Sequence, residues 1–143
     1  MEGVSARYLL DTNIASAVIK KQNPSVDERL ERVEMDQLAI SVITEAELRF
    51  GLARTPEAER LRQLTEEFLV RVTILAWDSA AAQVYGELRA TLERAGKPLG
   101  ALDTLIAAHA LSIGATLVTA DKAFGNVKKL KTENWVAKHE SLP

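Results

Sequence analysis

The sequence contains no cysteine, which excludes disulfide bonds, thiolate metal sites and cysteine nucleophiles. It also lacks any apolar run close to the roughly 18 residues that a membrane-spanning helix requires. The amino-terminal stretch MEGVSARYLLDTN has none of the basic, long apolar and small-residue regions that mark a signal peptide. We therefore expect a cytoplasmic protein with no membrane partner.

Neither basic nor aromatic residues are abundant. A formal net charge of −2 argues against a generally basic surface that coats nucleic acid, although a local basic groove is still compatible with it. Aromatic residues make up only 5% of the chain and fall in apolar patterns, so no platform for stacking bases is evident. The length of 143 residues predicts a single domain over residues 1–143.

Short apolar runs alternate with amphipathic segments along the chain. The runs RYLLD, QLAISVI, TILAW and ATLVTAD are predicted as strands, with NWV as an additional edge strand. Six helices are predicted. They cover residues 12–21, 24–35, 44 to about 51, 56–72, 78–96 and 102–114. This alternation indicates an α/β fold with helices on both faces of a mainly parallel sheet. In such folds ligands bind outside the carboxyl ends of the strands.

Acidic residues stand where chemistry is expected in such a fold, after the predicted strands or at the start of helices: Asp11, Glu45, Glu47, Asp78, Asp103 and Asp121. Each one alone is more readily explained as a helix cap, because a carboxylate accepts backbone N–H groups of the first helical turn. The segment from Thr44 to Glu47 also fits a capping box. Asp78 offers nothing beyond its position and is interpreted as a cap.

Two of these acids carry further signals. Beside Asp11, Thr12 and Asn13 could cap the helix instead, which would free the carboxylate. Asp103 shares a helical face with Ala107 and Ala110, and small side chains let that face approach the sheet closely. His109 lies on a different face of the same predicted helix, together with Ile106 and Ile113, and is interpreted as a core residue.

A group of carboxylates is costly without a cation, because like charges raise one another's pKa. Mg²⁺ and Mn²⁺ prefer such oxygen ligands, and two such ions can clamp the attacking and leaving oxygens of a phosphodiester. With no cysteine and no well-placed histidine, the acids favour phosphoryl hydrolysis over zinc chemistry. The spacing therefore indicates a metal-dependent enzyme acting on phosphate esters.

The motifs LLDTN, ISVITEAELRFG, GKPLGALDTLIAAHAL and TLVTADKAF, followed by ENW, resemble in order and spacing the toxin ribonucleases of the PIN-domain family. Their nearest counterpart is the VapC type of toxin–antitoxin modules, and the resemblance covers essentially the whole chain. It implies a three-layer α/β/α sandwich with a central, mainly parallel sheet. It also implies an endoribonuclease that uses Mg²⁺ or Mn²⁺ to activate water.

Carried over motif by motif, the resemblance assigns four residues both as catalytic and as metal ligands: Asp11, Glu47, Asp103 and Asp121. Many relatives have Asn at the fourth position, inside TNN, where this chain has Thr119-Ala120-Asp121. Asn13 and Thr119 match positions that support the acids, whereas Glu45 is left as a surface or cap residue. The resemblance further implies a homodimer and a cognate antitoxin, whose C-terminal segment would fill a groove that residues 56–72 and the preceding helix could supply.

RNA binding requires cations near the acidic pocket. The candidates for phosphate contacts are Lys20, Lys21, Arg49, Arg89, Lys128, Lys129 and Lys131, although each could equally be a solvated surface residue. Two alternatives to the nuclease stay open. One is a non-catalytic PIN-like module that binds RNA or protein. The other is a haloacid-dehalogenase-like phosphohydrolase, which would need a second Asp where Asn13 stands.

Overall fold

The structure, a computed structural model, describes residues 6–136 of the chain. Its strands are β1 (Tyr8–Leu10), β2 (Leu38–Ser41), β3 (Thr73–Leu75), β4 (Thr116–Val118) and β5 (Thr132–Glu133). They form one sheet in the order β3-β2-β1-β4-β5, and every neighbouring pair is parallel. The prediction of a mainly parallel sheet is confirmed.

In the described part of the chain, six α-helices cover the two faces of the sheet: α1 (Thr12–Lys20), α2 (Pro24–Glu31), α3 (Val42–Arg54), α4 (Glu59–Arg71), α5 (Ser79–Arg94) and α6 (Ala101–Ile113). Two 3₁₀ helices, Met35–Gln37 and Lys122–Asn126, complete the described elements. Within residues 6–136, none of the helices combines the length and the apolar character needed to cross a bilayer.

Successive side chains of a strand point to opposite faces of the sheet, and this alternation divides the core into two parts. Tyr8 and Leu10 pack into a cluster with buried residues of α1, α2 and α4, whereas Leu9, between them, packs with α5 and α6. This is what a two-residue period requires of a sheet that is covered on both sides. The three-layer α/β/α arrangement predicted from the sequence is confirmed.

Two details of the predicted elements are wrong. Helix α3 begins at Val42 rather than at Thr44, because the Ser41 hydroxyl accepts the Ile43 N–H at 3.1 Å and caps the helix. Gly51 does not end this helix. The helix continues to Arg54, and a Cβ at Gly51 would meet nothing within 4 Å.

The edge strand is also displaced from its predicted position. It occupies Thr132–Glu133 instead of the NWV segment, because Trp135 turns into the core, where it is 1% exposed and packs edge-on against Tyr8. The predicted single domain over residues 1–143 stays a prediction, since residues 1–5 and 137–143 lie outside the described range.

Candidate active site

The carboxyl edge of the sheet gathers the four acids that the sequence singled out. Asp11 directly follows β1, Asp121 follows β4 by three residues, Glu47 lies on α3, and Asp103 lies in the first turn of α6. Burial raises the pKa of the Asp103 carboxyl, and the negative charges of Asp121, Asp11 and Glu47, in that order, raise it further. The four side chains are therefore close enough to repel one another.

Asp11 is the most deeply placed of the four, with 6% of its surface exposed. Its Oδ1 accepts the Ile14 N–H at 2.9 Å and so caps α1. The expectation that Thr12 or Asn13 would do this in its place is wrong, because both lie inside the first turn. The carboxylate is a cap and a member of the acidic cluster at once.

The environment of Asp11 acts on its acidity in two directions. Burial raises the pKa of the carboxyl, and this effect outweighs hydrogen bonds from the Thr119 hydroxyl and the Ile14 N–H, which lower it. The charges of Asp121 and Glu47 raise the pKa further. Thr119, itself buried, also accepts the Asp121 N–H at 3.0 Å and thus links two of the acids. The supporting role of Thr119 stays a prediction, and its contact with Asp121 is consistent with that role.

Glu47 does not belong to a capping box, because α3 begins too early for Thr44 to be its cap. Instead, its Oε1 accepts the hydroxyl of Thr12 at 2.5 Å, a contact between α3 and α1. Glu45, two residues earlier, pairs with Arg49 at 2.8 Å on the surface. The separation of these two glutamates into one site residue and one surface residue agrees with the sequence analysis.

Asp103 is the third residue of α6, which follows Gly100 as its N-cap, and the Asp103 side chain makes no cap. Ala107 and Ala110 on the same helix are fully buried and pack into the core together with Leu9, as their small size predicted. Asp121 is exposed and caps the second 3₁₀ helix by accepting the Ala123 N–H at 2.9 Å. Asn13 is exposed in the first turn of α1.

The donor set fits a hard divalent cation. All four side chains offer carboxylate oxygens, and within residues 6–136 no lysine or arginine forms an ion pair with any of them. Over the same range, no three acidic or histidine side chains already converge on one point in the manner of a formed metal site. Rotation of these side chains would have to accompany binding of an ion.

Two titratable residues near this edge prove to be structural. Asp78 accepts the Ala81 N–H at 3.0 Å and caps α5, as predicted. His109 is 1% exposed, with Nδ1 2.8 Å from the Ser41 hydroxyl, and burial lowers the pKa of its imidazole. The interpretation of His109 as a core residue is confirmed.

The basic residues proposed to contact RNA are dispersed. Arg49 is engaged by Glu45 and Glu66, and Arg89 by Glu93 and the Tyr85 hydroxyl. Lys20 and Lys21 lie at the end of α1 opposite to Asp11, about 13 Å away along the helix. The structure thus brings neither of these lysines next to the acids. Two further lysines, Lys128 and Lys129, border a shallow groove against α5.

A larger groove of about 730 Å³ runs between α1, α2 and α4. Leu64 and Phe68 of α4 line it beside Leu30 and Val18, so the segment 56–72 supplies one wall. Helix α3 does not contribute to the residues that line it. The same helix α4 also packs on the sheet through the buried Leu69, and the use of the groove by an antitoxin stays a prediction.

Sequence reasoning missed two residues of the site, Thr12 and Thr44. Thr12 was considered only as a substitute cap and Thr44 only as the start of a capping box. In the structure their hydroxyl groups lie 3.4 Å apart and Thr12 contacts Glu47. No local pattern relates residue 12 to residue 47, because this contact depends on how α1 packs against α3.

A parallel sheet covered on both faces, with a carboxylate cluster at its carboxyl edge, defines the class as an α/β protein built around an acidic site. The family model of the PIN domain matches residues 8–130, and the chain therefore belongs to the PIN-domain family.

Curated relatives narrow this assignment to the VapC group. The chain is 38% identical over 130 residues to the tRNA(fMet)-specific endonuclease VapC of Shigella flexneri, covering 90% of this chain and 98% of the relative. It is 39% identical over 131 residues to ribonuclease VapC2 of Haemophilus influenzae, covering 91% and 98%.

Solved structures agree with this grouping. VapBC2 from Rickettsia felis, bound to a DNA fragment from its promoter, superposes with a TM-score of 0.83 at 37% identity, covering 90% of this chain and 98% of the other. DNA-bound VapBC from Salmonella typhimurium gives a TM-score of 0.85 at 34% identity, with coverage of 91% and 98%.

Proposed function

We infer that the chain is an endoribonuclease of the VapC type, the toxin of a toxin–antitoxin pair, and that it depends on Mg²⁺ or Mn²⁺. The observation that carries this inference is the cluster of four carboxylates at the carboxyl edge of the sheet, which no lysine or arginine of residues 6–136 pairs with. Relatives at 38–39% identity are ribonucleases and a tRNA-specific endonuclease. An RNA substrate also accords with the cytoplasmic location expected from the sequence.

In this proposal, Asp11, Glu47 and Asp103 hold the cation and Asp121 orients it or the attacking water. A divalent cation, when bound, would activate water and neutralise charge on the phosphodiester. The chain prepares its ligands for this task. The Ile14 N–H orients Asp11, and the Thr12 hydroxyl orients Glu47. Thr119, which accepts the Asp121 N–H and lowers the pKa of Asp11, would support both of these aspartates. Asn13 would support the site from the first turn of α1.

A matched pair of aspartates tests the proposal. Asp11 and Asp78 both cap a helix through the N–H three residues on, at 2.9 and 3.0 Å. Asn caps about as well as Asp, so neither Asp→Asn change should damage the fold. We expect the parent protein and Asp78→Asn to cleave RNA in the presence of Mg²⁺ or Mn²⁺. EDTA should abolish this cleavage. Asp11→Asn should show no cleavage.

Two results would contradict the nuclease assignment. Cleavage that persists in a folded Asp11→Asn protein would remove this carboxylate from the mechanism. RNA binding without cleavage by the parent protein, at any divalent ion tested, would favour the non-catalytic PIN-like module instead. The haloacid-dehalogenase-like alternative finds no support, because the chain belongs to a different family and lacks the second Asp.

The partner proposal concerns the groove between α1, α2 and α4. Solved relatives are VapBC complexes, and we propose that a cognate antitoxin places its C-terminal segment in this groove, on a homodimer of the chain. Leu64→Glu would put a charge among its apolar lining. Val70→Glu is the matched control, because Val70 is 84% exposed on the same helix and does not line the groove.

Co-purification with the product of the neighbouring upstream gene would measure the effect. We expect Leu64→Glu to lose the partner and keep RNA cleavage, whereas Val70→Glu keeps both. Retention of the antitoxin by a folded Leu64→Glu protein would place the docking site elsewhere. Light scattering of the isolated toxin would test the homodimer.

A further inference from the structure

The carboxylate of Glu47 is held by a side chain that lies outside the acidic set. The Thr12 hydroxyl is 2.5 Å from Glu47 Oε1, within the range of a charge-assisted hydrogen bond. An ionised carboxylate can only accept, so the single hydroxyl proton of Thr12 is directed at Glu47. The Thr44 hydroxyl lies 3.4 Å from the Thr12 hydroxyl, a longer contact than the one between Thr12 and Glu47.

The packing of the two helices makes this contact specific. Thr12 is the first residue of α1, directly after Asp11, and Thr44 lies on α3 one turn before Glu47. Thr44 is fully buried, so its contact with Thr12 lies in the interface between the two helices. The first turn of α1 thus holds one acid as its N-cap and a second acid through a side-chain hydrogen bond, so that the two carboxylates share one rigid support.

Glu47 needs such support more than the aspartates do. Its side chain has one more rotatable bond than theirs, and no backbone N–H of residues 6–136 holds it as Ile14 holds Asp11. With Oε1 occupied by Thr12, the other oxygen of Glu47 accepts no hydrogen bond from residues 6–136 and can take a ligand role. A hydrogen bond that orients a ligating carboxylate typically changes metal affinity 10- to 100-fold on removal.

We propose that Thr12 is a positioning residue, which sets the orientation of Glu47 for binding of a divalent cation. This inference rests on the proposed function in one respect, the assignment of Glu47 as a ligand. It does not require the substrate to be RNA, because metal binding is measured on the protein alone.

Thr104 supplies a matched control within the chain. It also follows an acid of the cluster and is buried, yet its hydroxyl donates to the Gly100 carbonyl at 2.8 Å rather than to a carboxylate. Thr→Val exchanges a hydroxyl for a methyl group at nearly constant shape in both positions. Any general effect of this exchange near the site should therefore appear in Thr104→Val as well.

The experiment measures Mn²⁺ binding by electron paramagnetic resonance in the intact parent protein and in Thr12→Val, Thr12→Ser and Thr104→Val. We expect Thr12→Val to bind Mn²⁺ about 10- to 100-fold more weakly, and Thr12→Ser, which keeps the hydroxyl, to stay within about threefold of the parent. Thr104→Val should also stay within about threefold. Circular dichroism would verify that all four proteins are folded.

A second readout separates positioning from catalysis. RNA cleavage by Thr12→Val should require more Mn²⁺ for half-maximal rate and recover most of the parent kcat at saturating Mn²⁺. Equal Mn²⁺ affinity in Thr12→Val and the parent would overturn the inference and leave the nuclease proposal intact. No Mn²⁺ binding by the parent would overturn both the metal assignment and this inference. Cleavage by Asp11→Asn is the separate result that would refute the proposed function.

Discussion

Leu10-Asp11-Thr12 ends a strand, whereas the identical tripeptide Leu102-Asp103-Thr104 lies in the first turn of a helix. Leu10 is fully buried in the core and Leu102 is 45% exposed. Asp11 caps α1, and Asp103 caps nothing. The Thr12 hydroxyl donates to a glutamate on another helix, but the Thr104 hydroxyl donates to the Gly100 carbonyl at the start of its own helix.

The difference between Asp11 and Asp103 shows that one acidic cluster can be assembled from different secondary-structure elements. A strand end delivers Asp11 in a position fixed by backbone hydrogen bonds, and its burial raises the pKa of the carboxyl. A helix start delivers Asp103 with no cap to make, held by the packing of Ala107 and Ala110 behind it. The two aspartates share a chemical environment, since each lies among the other acids, but they differ in what else they do for the fold.

The largest predicted effect is a loss of RNA cleavage that the two copies of the Leu-Asp-Thr tripeptide share. Asp103→Asn should reduce RNA cleavage at least about 100-fold, as expected for Asp11→Asn, because a lost ligand removes several kcal/mol of transition-state stabilisation. Single-turnover cleavage of RNA with excess enzyme would measure it. Glu45→Gln, which changes an acid outside the cluster, should keep near-parent activity. An active Asp103→Asn protein would break the equivalence of the two copies.

The second prediction concerns stability with and without a cation. Because the folded-state pKa of both Asp11 and Asp103 is raised above 3.8, the metal-free protein binds protons more tightly than the unfolded chain does. The contribution of these two groups to stability is therefore largest at low pH and is lost as pH rises from 3.8 through the raised values. Binding of a cation should reverse this trend, since the ligands bind it when deprotonated.

At pH 7, Mn²⁺ at 100 times its Kd should raise the free energy of unfolding by about 2.7 kcal/mol. The gain should shrink as pH falls towards 4. Urea unfolding at several pH values, with EDTA or with Mn²⁺, would measure it. Asp103→Asn should lose most of the Mn²⁺ effect. A gain that is independent of pH would show that other groups bind the metal.

The third prediction compares the stability of variants at Asp11, which caps a helix, and at Asp103, which does not. Asp11→Ala should be less stable than Asp11→Asn by about 1 kcal/mol, because Ala cannot accept the Ile14 N–H. At position 103 the order should reverse. Ala has the higher helix propensity and no cap is lost, so Asp103→Ala should be at least as stable as Asp103→Asn. Chemical denaturation of the four metal-free variants would test this, and the same order at both positions would contradict it.

Much of this architecture was predictable from the sequence. The two-residue alternation of Tyr8, Leu9 and Leu10 and the small face of α6 depend on periods that the sequence displays directly. The order of the acidic motifs then placed Asp11, Glu47, Asp103 and Asp121 at one edge of the sheet. The rule that strand ends of a parallel sheet share an edge was not sufficient for that step, because it applies equally to Asp78 and Glu45. The resemblance of the motifs to the PIN-domain family made the selection.

The parts that were not predictable depend on contacts between distant segments. Whether Thr12 caps a helix or holds Glu47 is decided by the packing of α1 on α3, and Trp135 leaves the edge strand because Tyr8 and its neighbours offer it a buried site. The predicted start of α3 was wrong for a different reason. Ser41 and Thr44 are both acceptable caps, and only the end of β2 decides between them.

The smallest predicted effect would make the two copies more alike. Gly100, the N-cap of α6, has no side chain to cap the helix, although its backbone, with φ −56° and ψ 156°, is compatible with a capping residue. Gly100→Ser would supply a hydroxyl that can accept the N–H of the third helical residue, Asp103 itself. A Cβ at this position would lie 3.8 Å from Asp103 Oδ2, an ordinary contact, so the substitution fits without displacing the acid.

We expect Gly100→Ser to raise the free energy of unfolding by a few tenths of a kcal/mol, the usual difference between Ser and Gly at an N-cap, with Mn²⁺ affinity and RNA cleavage near parent values. Replicate urea titrations can resolve such a difference. Gly100→Ala is the control, because it adds the same Cβ without a hydroxyl and should lower stability relative to Gly100→Ser. If the serine variant gains stability but loses Mn²⁺ affinity, then the freedom of Asp103 from capping, the feature that distinguishes it from Asp11, is required for metal binding.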